Sequence, residues 1–85
     1  MRDIRLTAGA RRSLAGLSPK AANVVIPFIR DVIAADPFTV GKPLRWELEG
    51  LHSARRGDYR VIYAIDLDTV TIVRVDHRSD TYRPL

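Results

Sequence analysis

The sequence predicts an α+β domain of order βααβββ, with two N-terminal helices packed on one face of a mostly antiparallel, twisted sheet. Three observations carry this prediction. Two helix-like segments, residues 8–17 and 18–35, follow one another with a Ser-Pro start between them. Three strand-like runs fill most of residues 51–77. A Gly57-Asp58 pair joins the first two runs, and because glycine reaches positive φ at little cost the pair reads as a hairpin turn. Consecutive helices followed by consecutive strands belong to the α+β class.

Taken in order, Arg2 to Leu6 alternates as a short strand with Ile4 and Leu6 on one face. Thr7 caps a first helix, from about Ala8 to Leu17, whose inward residues are Ala10, Leu14 and Leu17. Ser18-Pro19 starts the second helix, since serine caps and proline suits the first helical position. Its apolar stripe is Ala22, Val25, Ile26, Ile29, Val32 and Ile33. Pro27 lies inside it, removes one backbone donor and predicts a kink. Asp36-Pro37 ends it. Residues 38–49 form a connection with room for a turn of helix or a short strand, and Trp46 either anchors it on the core, the favoured reading, or contacts a partner. Leu51 to Arg55, Asp58 to Asp66 and Thr69 to His77 are the remaining strands. The middle one carries Val61, Tyr63 and Ile65 on one face and Ile62 and Ala64 on the other, so it is central. In the last, Val73 and Val75 are expected on one face and Arg74 and Asp76 on the other.

With 85 residues the chain is read as a single domain, 1–85. A chain of this size buries only about 60–65% of its unfolded surface, so its stability is modest. Absence of cysteine excludes disulfides and thiolate metal sites. No apolar run approaches the roughly 18 residues of a membrane span. The N-terminal residues lack the apolar core of a signal peptide, so the expected location is the cytoplasm. The net charge is +4 and the pI about 10.1. Of the 14 basic residues only Lys20 and Lys42 are lysine. An arginine excess fits a nucleic acid or an acidic partner, and equally a GC-rich genome.

The stretch Gly41 to Tyr63 holds the hairpin around which the chain is organised. Arg55, Arg56 and Arg60 surround the Gly57-Asp58 turn, so the hairpin gathers three guanidiniums. Such a cluster suits phosphate, which a guanidinium binds with two parallel hydrogen bonds. Solvated surface arginines are the plainer alternative.

Three segments carry a resemblance to a known family: GKPL at 41–44, LEGLHSARRGDYRVIYAID at 48–66, and DHRSDTYR at 76–83. They resemble the RelE/ParE superfamily of bacterial toxins from type II toxin–antitoxin systems, in its RelE-like branch, over essentially the whole chain. The resemblance implies a RelE-like fold and a ribosome-dependent endoribonuclease. In that branch the toxin enters the ribosomal A site, where the ribose 2′-OH of the message attacks the adjacent phosphate. Arginine supplies the charge there, so no metal or other cofactor is expected.

By motif position Arg60, after GDY, matches the family's transition-state arginine. Arg78 and Tyr82 match its Arg-x-x-x-Tyr tail, with Tyr82 stacking on a base or assisting proton transfer. His77 matches a histidine that the YoeB-like branch places at this strand end, and its ordinary pKa near 6.5 suits proton transfer. A structural histidine is the competing reading. His52 is a second, weaker candidate. Arg55, Arg56, Lys42 and Arg83 are the expected RNA- or phosphate-binding residues.

The chain also departs from the family. The lysines that the best-known RelE branch carries on the second strand are replaced by Leu51-His52-Ser53-Ala54-Arg55. The YoeB-like loop glutamate has Lys42 near its place, and Glu47 and Glu49 do not match it. The general base is therefore unassigned. Two alternatives stay open: a ParE-like inhibitor of DNA gyrase, and a catalytically weak homologue acting with its antitoxin as a co-regulator of transcription. The resemblance further implies a cognate antitoxin from the same operon, contact with the ribosome and mRNA, operator DNA bound only through the antitoxin complex, and no membrane partner.

Overall fold

The computed structural model describes residues 1–81. Its core is a five-stranded sheet in the order β1-β5-β4-β3-β2. The strands are β1 (Asp3–Leu6), β2 (Lys42–Pro43), β3 (Leu51–Arg56), β4 (Tyr59–Ile65) and β5 (Thr69–His77). β1 pairs with β5 in parallel, and the other three pairings are antiparallel. The helices are α1 (Ala8–Ala15), α2 (Pro19–Pro27), and the four-residue α3 (Pro37–Val40) and α4 (Arg78–Thr81). This is the expected α+β arrangement. The additions are β2, the two short helices, and a 3₁₀ turn at Trp46–Leu48.

The caps sit where their residue types place them. The Thr7 hydroxyl accepts from the Ala10 amide at 3.0 Å and donates to the Val73 carbonyl at 2.7 Å, so one side chain both starts α1 and ties it to β5. Ser18 accepts from the Ala21 amide at 3.2 Å, with Pro19 in the first turn of α2.

The core lies between α1, α2 and one face of the sheet. Val25, Phe28, Ile29 and Ile33 meet Val61, Tyr63, Val70 and Ile72. Each such large apolar side chain contributes about 1.5–3 kcal/mol when buried. Leu14 and Leu17 pack against this cluster as expected.

Three expectations change. The buried stripe of α2 is centred on Ala21, Val25 and Phe28, whereas Ile26 and Val32 are exposed. Pro27 supplies no donor, and from Phe28 to Ile33 the helix continues in π winding, with the Ala34 amide reaching the Ile29 carbonyl at 3.1 Å. The disturbance at Pro27 is thus a change of winding. Trp46 does not anchor the loop: it is 90% exposed with φ +64. Pro37 and Val40 hold the connection instead, Pro37 fully buried and Val40 packed on the core. The third change is in β5. A bulge shifts the register, with Tyr63 opposite Ile72 but Ile62 opposite Arg74. The extra residue breaks the two-residue alternation, so Ile72 and Val75 both enter the core and Val73 does not share their face.

Among the described residues no helix is long and apolar enough to cross a membrane.

Candidate functional site

The face of the sheet away from α1 and α2 carries a groove of about 630 Å³ between β2 and the β3–β4 hairpin. Lys42, Pro43 and Leu44 form one wall, and Ser53, Arg55 and Arg60 form the floor and the other wall. The register explains the grouping. Lys42 stands opposite Ser53, and Arg55 opposite Arg60. Residues directly opposed in a sheet point to the same face, so one lysine and two arginines converge.

Gly41 makes the wall possible. A Cβ there would collide with the Tyr63 hydroxyl and lie 2.9 Å from the Ser53 carbonyl oxygen. That hydroxyl is fixed, because it donates to the Pro37 carbonyl at 2.6 Å inside the core. Burial, helped by the Asp36 carboxylate, pushes the Tyr63 phenol up to about 12. Only glycine lets the chain pass this close before entering β2. The hairpin tip has its own glycine requirement, Gly57 at φ +60.

Arg60 is the best-placed cation. It starts the central strand and is half-buried. Its Nε is buried without a hydrogen-bond partner. Of the two carboxylates that compete for it by sequence, Asp76 is bound by Arg74 at 2.9 Å and Asp58 stands 3.7 Å from Arg78. Neither Arg60 nor Arg55 has an ion pair among the described residues. Arg60 lines the groove without an ion-pair partner, and an unpaired guanidinium there suits an anion.

Among the described residues, Arg56, His77, His52 and Arg78 do not enter the groove. Arg56 lies on the helix side, its guanidinium 5.9 Å from the Phe28 ring centroid. His77 is opposite Tyr59 in the register, and their rings meet edge to face at 5.1 Å. Tyr59 packs against the core, so His77 occupies the sheet face opposite to Arg60. The His77 Nδ1 also lies 2.8 Å from the Ser79 hydroxyl. His52 is on the helix side too, stacked on Tyr63 at 5.7 Å and edge-on to Phe38 at 6.0 Å. Its Nδ1 is buried without a partner, consistent with a packing role. Arg78 sits at the hairpin tip, its amide donating to the Asp58 carbonyl at 2.7 Å. Tyr82 and Arg83 lie outside the described residues. Sequence reasoning placed Arg74 and Asp76 on one face, as the register does, but gave Arg74 no part in the site. Its signal was present as an Arg-x-Asp pair in a strand, but the bulge that turns the pair to the open face carries no sequence mark.

Residues 4–82 match the family described as the ParE toxin of type II toxin–antitoxin systems, parDE. The chain is 50% identical over 82 residues to the toxin RelG of Mycobacterium tuberculosis, covering 94% of each. It is also similar to a chain of the crystal structure of the toxin–antitoxin complex RelBE2 from the same organism, with a TM-score of 0.86, 48% identity, and coverage of 91% of this chain and 98% of that one. The archaeal RelE–RelB complex from Pyrococcus horikoshii shares the fold, with a TM-score of 0.69 at 22% identity, over 91% and 94% of the two chains.

Proposed function

This chain belongs to the RelE/ParE superfamily of toxins from type II toxin–antitoxin systems, in its RelE-like branch, and from that premise we propose that it is a ribosome-dependent endoribonuclease that cuts mRNA in the A site. The observation that carries the proposal is Arg60, unpaired in a groove shared with Arg55 and Lys42.

In the proposed reaction the message's 2′-oxygen attacks the adjacent phosphorus and the bond from phosphorus to the 5′-oxygen breaks. The 2′-hydroxyl loses its proton, and a proton reaches the departing 5′-oxygen. The products are a 2′,3′-cyclic phosphate and a 5′-hydroxyl. Negative charge grows on the equatorial phosphate oxygens, where Arg60 offers a fixed two-pronged donor. Arg55 and Lys42 hold the flanking backbone. Arg78 and Tyr82 are assigned to the neighbouring nucleotide, Tyr82 by stacking. The reading needs no metal, because the guanidiniums supply the charge. Neither imidazole lies on the groove's face, so positioning and charge do most of the work and the proton path runs through the ribosome or the RNA.

A cognate antitoxin completes the proposal. An acidic segment would complement the arginine surface and hold the toxin inactive, and operator DNA would be met only through that complex. The groove without an imidazole also favours a second reading, ParE-like inhibition of DNA gyrase.

One experiment separates the two. The purified protein is added to a reconstituted translation system and to a gyrase supercoiling assay. Message cut within its coding region supports the nuclease. Intact message with blocked supercoiling supports the gyrase inhibitor.

A further inference from the structure

Across the open face, Arg55, Arg60 and Asp76 form one row, each directly opposed to the next. An arginine with a like charge on one side and a carboxylate on the other should turn to the carboxylate. Arg60 does not. Asp76 Oδ2 accepts from Arg74 Nε at 2.9 Å, and Arg60 Nε is left buried and unpaired. The Asp76 side chain is only 20% exposed, so its partner is not readily exchanged for water.

The bulge in β5 brings this about. With unbroken alternation after Ile72, which faces the core opposite Tyr63, Arg74 would point into the core and Asp76 toward the helices. The one-residue insertion places Arg74 opposite Ile62 and Asp76 opposite Arg60, both on the open face and two residues apart. Bulges re-aim side chains in this way beside functional sites.

We infer that Arg74 is a positioning residue: by holding the Asp76 carboxylate it keeps the Arg60 guanidinium available for phosphate. The inference rests on the reading of Arg60 as the phosphate ligand. Removing Arg74 frees Asp76 to capture Arg60, and the site then loses affinity without losing any group that touches RNA. Removing both charges restores Arg60.

The test compares Arg74→Ala, Asp76→Asn, the double variant and Arg74→Lys in the full chain. It measures binding of a labelled single-stranded RNA oligonucleotide, message cleavage on the ribosome, and the NMR resonance of the Arg60 Nε–H. Arg74→Ala should weaken binding and cleavage roughly tenfold, the scale of one competing ion pair. It should also shift the Arg60 resonance. The double variant should recover both activities and return the resonance, while Arg74→Lys and Asp76→Asn stay near wild type. If Arg74→Ala does not fold, Arg74→Gln carries the same comparison. A double variant as weak as Arg74→Ala, or an Arg60 resonance that does not move, overturns the inference. If Arg60→Ala itself leaves binding and cleavage unchanged, the reading of the groove fails. If Arg60→Ala matters and Arg74→Ala does not, only the positioning role fails.

Discussion

Arg55 and Arg60 face each other as a direct cross-strand pair on the open side of the β3–β4 hairpin, and neither has a carboxylate partner among the described residues. Like charges in this position destabilise a sheet, typically by about 0.2–1 kcal/mol. A fold optimised for stability alone would not keep them; an anion site would. Arg55→Gln should therefore raise the unfolding free energy by about 0.2–1 kcal/mol in denaturant titration while weakening RNA binding. A variant that loses stability and binds RNA unchanged would show Arg55 to be structural.

Gly41→Ala tests the groove wall. The new methyl group meets the Tyr63 hydroxyl and the Ser53 carbonyl, so the chain entering β2 must move. Overpacking of this kind costs about 1–3 kcal/mol. The expected result is a lower denaturation midpoint together with weaker RNA binding, because Lys42 shifts with the strand. Unchanged stability would mean that β2 moves aside freely.

Tyr63 gives a pH signature. Its phenol is pushed up to about 12 in the folded state, mainly by burial, against an ordinary value of 10.0. The folded protein thus holds this proton more tightly than the unfolded chain. The resulting stability is fully present below pH 10 and is lost as pH rises from 10 toward 12. Tyr63→Phe removes the titration, so its melting temperature should fall less steeply than wild type across that window. Its unfolding free energy at neutral pH should also be lower, by about 0.5–1.5 kcal/mol for the lost bond to Pro37. Parallel curves would contradict the assignment.

His77 is the residue on which sequence and structure part. A group acting as general acid or base typically contributes about 10²–10⁴-fold. Its place beside Tyr59, across the sheet from Arg60, predicts that His77→Gln loses less than about tenfold in message cleavage and keeps the wild-type pH profile. A loss of about 10²-fold or more would return the imidazole to the chemistry.

Much of this was legible in the residues. The Ser18-Pro19 cap, the Gly57 turn and the two-faced apolar pattern of β4 are local signals, and each became the expected element. Arg60 and Arg55 were legible as one cluster because a hairpin fixes its own register. What failed depended on non-local geometry. The β5 bulge shifts a register with no residue type to announce it, and Pro27 marks a disturbance in its helix without specifying π winding. Trp46 suits the core or a partner by residue type, and its turn, at φ +64, leaves it in water. His77 belonged to a tail motif, and a motif does not say which face of the sheet a side chain takes.

The most direct measurement is the fate of a message in a reconstituted translation system. The wild-type protein should cut it within the coding region, only when ribosomes are present, and leave 2′,3′-cyclic phosphate ends. Arg60→Ala, at equal folding, should reduce the cut by about 10²-fold or more, the scale for one preorganised contact to developing charge, and Arg60→Lys should restore little. Intact message with wild-type protein, or equal cutting by Arg60→Ala, would contradict the account.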